Sequence, residues 1–169
     1  MEVRASNICG GGQGLFAITQ IPRGTVIRFC KFSPQPTSSC RRRELGPCDV
    51  LDFYVRRGTD RRSRCLVEGR VKTLKDVVID RASFKRMYVC AQRMLPIMKA
   101  NDLAWTSGID ERIYEQRARR RNCIELILEF GPESEKDGRR RVIDVCAHVT
   151  RTAKAGQELG MSYGYNYWV

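Results

Sequence analysis

The chain has 169 residues, enough for one domain with a buried core. Hydrophobic residues make up 42%, which excludes a chain disordered throughout; no apolar run is long enough to cross a bilayer, and Met1-Glu2-Val3-Arg4-Ala5-Ser6-Asn7 lacks the apolar core of a secretory signal. The formal net charge of +12 points to a polyanionic neighbour: nucleic acid, a nucleosome or an acidic protein.

Glycines 10, 11, 12 and 14 open the pattern as a turn whose backbone can approach a ligand or strand closely. Leu15 to Ala17 reads as a strand, Ile21-Pro22-Arg23-Gly24 as a turn and Thr25 to Phe32 as a second strand, together a β-hairpin. Ser33 to Gly46 is a loop by its prolines and serines. Val50 to Val55 is a short strand, and Gly58 to Ser63 a charged turn. Arg64 to Val67 and Val71 to Leu74 are short strands split by Glu68-Gly69-Arg70. Phe84, Met87, Tyr88, Ala91, Met94, Leu95 and Met98 recur at spacings of three and four, which predicts a helix over Asp80 to Ala100. Asp80 or Ser83 caps its start, and Pro96 kinks or ends it. Core packing is the first use of this methionine-rich stripe, and a partner groove the second. Asn101 to Arg121 gives no pattern. Ile124 to Phe130 and Arg141 to Val149 are strands joined through Gly131 to Gly138, and Thr152 to Gly156 is a turn. Tyr163, Tyr165 and Tyr167 alternate, which predicts an extended strand with the three rings on one face. The sum is an α+β, mainly β domain of short strands with one main helix.

Eight cysteines, at 9, 30, 40, 48, 65, 90, 123 and 146, make a disulfide framework arithmetically possible. Without a secretory signal, reduced thiols are the preferred reading. No C-x-x-C occurs and His148 is the only histidine, so no metal site is assigned. The excess charge is clustered in Arg41-Arg42-Arg43, Arg56-Arg57 with Arg61, Arg62 and Arg64, Arg117 with Arg119-Arg120-Arg121, and Arg139-Arg140-Arg141. Arginine suits bidentate contact with phosphate or carboxylate, which places a polyanion-facing surface ahead of merely solvated loops. Gly10 to Gly14 is not a Walker loop, since no Lys-Ser/Thr follows, nor a dinucleotide fingerprint, since Leu15 stands where a third glycine belongs.

Two motifs at opposite ends of the chain carry a resemblance. Gly12-Gln13-Gly14-Leu15-Phe16-Ala17, then Ile21-Pro22-Arg23-Gly24-Thr25-Val26-Ile27, stand near the start; Ala155-Gly156-Gln157-Glu158-Leu159 running on to Tyr163-Gly164-Tyr165 stands at the end. The ordered pair resembles the opening and closing motifs of SET-domain protein lysine methyltransferases. The resemblance implies a SET (β-clip-like) fold over 1–169. Its N-terminal hairpin lies at 9–32, an insert with the helix at 33–105, and a C-terminal part closed by a pseudo-knot at 106–169.

The resemblance also implies the chemistry. S-adenosylmethionine is the cofactor, and a basic protein such as a histone tail is the substrate. Tyr163 is the catalytic tyrosine, and Tyr165, Tyr167 and Trp168 line the lysine channel. Gly12, Gln13, Gly14, Leu15, Tyr163 and Trp168 contact the cofactor. The family's third signature, N-H-S-C-x-P-N, aligns with Gln116 to Asn122, which puts Gln116 and Arg117 in place of the cofactor-binding Asn-His pair. An arginine beside a cationic sulfonium needs a screening carboxylate, for which Asp110, Glu111 and Glu115 stand near in sequence. The chain stops at Val169, short of the closing segment of many members, so the resemblance implies that the site is completed either by the internal region between Ser33 and Ala100 or, the preferred reading, by a protein partner or second copy. It further implies a nuclear, chromatin-associated protein. Two alternatives stand beside the enzyme: a SET-like module acting through protein contacts in a chromatin complex, and a nucleic-acid binder that uses the arginine clusters but shows no binding motif.

Overall fold

The computed structural model describes residues 1–8, 10–33, 64–80, 88–89, 99–165 and 169. Among them are eight β-strands and one α-helix, an α+β and mainly β protein. The chain divides into two compact units: Met1–Ile27 with Met94–Leu126 and Ala147–Val169, and Arg28–Arg93 with Ile127–Cys146.

In the first unit, β1 (Glu2–Ala5) pairs antiparallel with β2 (Gln13–Phe16), in the register Glu2↔Phe16 to Ala5↔Gln13. Gly10 and Gly12 turn the chain between them at φ of +74° and +61°, a region glycine enters without a Cβ penalty. The expected hairpin of Leu15–Ala17 with Thr25–Phe32 is therefore corrected, because other partners occupy the backbone beyond β2. The Ala17 N–H donates to Gln157 O at 2.9 Å, and Ile21 and Ala153 exchange two hydrogen bonds of 2.9 Å. The C-terminal segment thus runs along residues 15–21. Its opposite side is also bonded, since Gly160 O accepts from Cys123 N at 3.0 Å and Ile124 N at 3.1 Å.

The helix α1 (Glu111–Arg121) lies in a stretch without apolar periodicity. The Asp110 carboxylate caps it, accepting from Arg112 N at 2.8 Å and Ile113 N at 3.4 Å. Only Tyr114 and Ala118, one turn apart, are buried on it. They pack with Ala104 and Ile109 in one apolar cluster. At the other end, Arg151 donates to the carbonyls of Arg120 and Arg121, which the helix itself leaves unpaired.

A six-stranded sheet supports the second unit, in the order β5-β4-β7-β8-β3-β6. Here β3 is Val26–Ser33, β4 Arg64–Val67, β5 Arg70–Thr73, β6 Tyr88–Val89, β7 Ile124–Glu133 and β8 Arg140–Val149. Glu68 and Gly69, at φ of +51° and +74°, form the two-residue link of β4 and β5, the left-handed turn that matches the strand twist. β4 runs parallel to β7, with Cys65 opposite Leu128. Of the helix expected over Asp80 to Ala100, Tyr88 and Val89 are instead a strand, paired with Ser33 and Phe32. Both residue types favour strands, and the three-four spacing could not register a backbone partner 55 or more positions away. The remainder of that helix, apart from residues 80, 99 and 100, and the strand at Val50 to Val55 lie outside the described residues.

Candidate functional site

Asp102 is the hub of the first unit's polar core. It is 6% exposed. Its Oδ1 accepts from Ala104 N at 3.0 Å and Asn122 Nδ2 at 2.9 Å, and its Oδ2 from the Tyr114 hydroxyl at 2.5 Å and Tyr163 N at 3.0 Å. The Tyr114 oxygen also lies 2.8 Å from Ser162 Oγ and accepts from Gly164 N at 2.9 Å. Burial first, then the bond to Asp102, pushes the Tyr114 phenol well above its ordinary value, so it stays protonated. One buried carboxylate thereby ties the loop after residue 100, helix α1 and the C-terminal tyrosines together.

Tyr163 is held at both ends. Its N–H is on Asp102, and its hydroxyl donates to Ala100 O at 2.7 Å. Gly164 follows at φ of +87°, which breaks the period-two alternation expected through Tyr163, Tyr165 and Tyr167. The two described rings therefore part: Tyr163 turns to Ala100, while Tyr165 joins Trp105 and Tyr114, with centroids 6.3 and 6.0 Å away. Trp105 and Tyr114 meet edge to face at 6.3 Å. Tyr167 and Trp168 lie outside the described residues.

Glu158, 5% exposed, is a second buried carboxylate. Its Oε1 accepts from Ser6 Oγ at 2.6 Å and Asn101 Nδ2 at 3.1 Å, and its Oε2 from Asn7 N at 2.9 Å. The same Asn101 amide donates to Gln13 O at 3.1 Å, so it bridges the opening motif to the closing one. Gly14 packs directly on the Glu158 carboxylate, where a Cβ would collide. Gly12 is exposed, and no atom lies within 4 Å of where its Cβ would stand. Leu15 is fully buried, and its carbonyl accepts from Leu159 N at 2.7 Å.

Gln116 and Arg117 sit in the middle of α1. Gln116 is exposed, and Arg117 donates to Thr106 Oγ1 at 3.0 Å. The C-terminal segment is hydrogen-bonded instead by Asn101 and Asp102, since Met161 N donates to Asn101 O at 2.9 Å and Tyr163 N to Asp102. Sequence reasoning passed over Asn101, Asp102, Trp105, Tyr114 and Glu158 as site residues. The adjacent Asn101-Asp102 pair, polar residues just before an apolar Leu-Ala-Trp, was the available signal.

In the second unit, Glu129, Asp144 and Cys146 each bring one ligand atom within 4.8 Å of the others. Arg28 grips both Glu129 oxygens, at 2.7 and 2.8 Å, so a cation there would compete with a bound guanidinium. Burial holds the Cys146 thiol protonated, with its pKa pushed up to about 12. The first unit carries an open cleft of about 670 Å³ whose wall includes Arg120, Arg121, Arg151 and Lys154.

No protein-family model matches the sequence, and no curated protein matches it. Among solved structures, the chain is similar to a Plasmodium falciparum protein provisionally assigned as a histone methyltransferase. The two are 13% identical, with a TM-score of 0.37 over 97% of this chain and 98% of that one. A likeness of that size decides neither fold family nor chemistry.

Proposed function

We propose that the chain is a SET-domain protein lysine N-methyltransferase that uses S-adenosylmethionine and modifies a histone or another basic chromatin protein in the nucleus. The observation that carries this reading is the meeting of the two terminal motifs. Phe16 bridges Glu158, Leu159 N donates to Leu15 O, and Asn101 joins Gln13 to Glu158. The pairing of 156–161 on both sides agrees with the threaded C-terminal segment that the resemblance requires. Asn101-Asp102, rather than Gln116-Arg117, takes the place of the family's Asn-His pair.

The surroundings of Tyr163 suit a cationic cofactor. Its hydroxyl and the Ala100 carbonyl stand 2.7 Å apart, and the Asp102 and Glu158 carboxylates lie in the same polar core. Arg117, expected from the resemblance to contact the cofactor, donates to Thr106 Oγ1. Gly12 and Gln13, Asn101 and Tyr163 are the residues to hold the cofactor, with the open side of Gly12 giving backbone access. Bound S-adenosylmethionine would supply a methyl group on a positively charged sulfur, which leaves as a neutral thioether once the lysine nitrogen has taken the methyl. The Tyr163 hydroxyl donates its hydrogen bond to Ala100 O, which leaves phenol lone pairs to accept an N–H from the incoming amine and aim its own lone pair.

Transfer of isotopically labelled methyl to core histones tests the reading. Wild type labels lysine, and Tyr163→Phe lowers kcat roughly 10²-fold, the scale for removing one preorganised polar group. Equal turnover by Tyr163→Phe, or no label from folded wild type on any basic protein, contradicts it.

A further inference from the structure

We propose that the basic cleft beside the C-terminal end of α1 docks the phosphate backbone of duplex DNA. Arg120, Arg121, Arg151 and Lys154 converge there from the helix end and from the 151–154 turn. The carboxylate in the cleft wall, Glu158, already accepts from Ser6, Asn7 and Asn101, so it is poorly placed to neutralise them. Helix C-termini ordinarily repel anions through their carbonyls. Here the Arg151 guanidinium covers the carbonyls of Arg120 and Arg121, which removes that obstacle and leaves the exposed Arg120 and Lys154 side chains facing solvent.

The chemistry of the wall selects the partner. Among the described residues of the wall none is aromatic, so they offer no stacking platform for single-stranded bases. Closely grouped cations match a rigid, dense line of charge, and duplex DNA carries one phosphate charge per ~1.7 Å of axis. Docking of this kind is independent of sequence. It also resolves a tension in the proposed function: a chain of net charge +12 repels a free basic tail but is drawn to one lying on DNA. The inference does not rest on methyl transfer, because the cleft wall lacks Gly12, Gln13 and Tyr163.

The test is fluorescence anisotropy of a labelled random-sequence duplex with the full chain, between about 50 and 200 mM salt. Wild type should lose affinity steeply with salt. The variant Arg120→Gln/Lys154→Gln should bind about 10-fold more weakly at the low-salt end, with the log–log slope reduced by about 2. Both side chains are exposed, and an unchanged circular dichroism spectrum confirms folding. The variant Arg139→Gln/Arg141→Gln, at the start of β8 and outside the cleft wall, should behave as wild type. The proposal is overturned by flat salt dependence, or by an unchanged slope in the cleft variant. Loss of binding in Arg41→Gln/Arg42→Gln/Arg43→Gln instead would overturn it too. So would tighter binding of polyglutamate or single-stranded DNA, or displacement of the duplex by S-adenosylhomocysteine, which would make the cleft a cofactor site.

Discussion

Asp102 and Gly160 make the first unit's geometry a matter of single residues. The carboxylate of Asp102 fixes Asn122 through Nδ2, and Asn122 Oδ1 in turn accepts from Leu103 N at 3.0 Å. Gly160 passes so close that a Cβ there would run into Asn122 Oδ1 and the Leu103 side chain. Asn122 cannot swing away without leaving a buried donor and acceptor unpaired. Gly160→Ala should therefore destabilise the protein by about 1–3 kcal/mol. The measurement is urea unfolding, which should show a lower midpoint at an unchanged m value. A midpoint equal to wild type would mean that the segment shifts freely and that Asn122 does not anchor it. None of this was legible in the sequence. Asp102 is one aspartate among many charged residues, and its importance comes from donors 12, 20 and 61 positions away. Tyr163 and the two terminal motifs could be picked out because their residue types and order were already distinctive.

At the scale of elements, strands read better than the helix. β4, β5, β7 and β8 lie within a residue or a few of their expected spans, because alternating or β-branched runs bounded by turn residues are local signals. α1 escaped because it buries only Tyr114 and Ala118, leaving too little apolar periodicity to detect. Its Asp110 cap and terminal arginines were signals of ends without a middle. The N-terminal hairpin misled for the opposite reason: two good strands in succession do not reveal that β2 pairs backward with β1. The sheet strands also carry a pH dependence. Burial pushes Cys65 in β4 up to about 11 and Cys146 in β8 up to about 12, from 9.0 in the unfolded chain. A raised folded value means that stability is complete below pH 9 and falls as pH rises through the window to about 12. Thermal unfolding between these limits should show a melting temperature that declines above pH 9, with a shallower decline in Cys65→Ala/Cys146→Ala. Parallel declines in both proteins would place the alkaline sensitivity elsewhere.

At the scale of the whole chain, the two compact units divide the work. The described part of the second unit is mainly sheet, cross-tied by ion pairs such as Arg28–Glu129 and by Arg140, which donates to Gly131 O, Glu68 and Glu133. The first gathers both termini and the middle segment around Asp102, Glu158 and Tyr163. Charge and motifs announced a basic chain with related ends, but the middle segment that joins them was invisible to pattern. The proposed enzyme requires these joined motifs to hold S-adenosylmethionine. Calorimetric titration of the folded chain with S-adenosylmethionine and S-adenosylhomocysteine tests it most directly. Saturable binding of micromolar order, about −8 kcal/mol, is expected, weakened about tenfold in Asn101→Ala. No binding of either compound by the well-folded chain would contradict it.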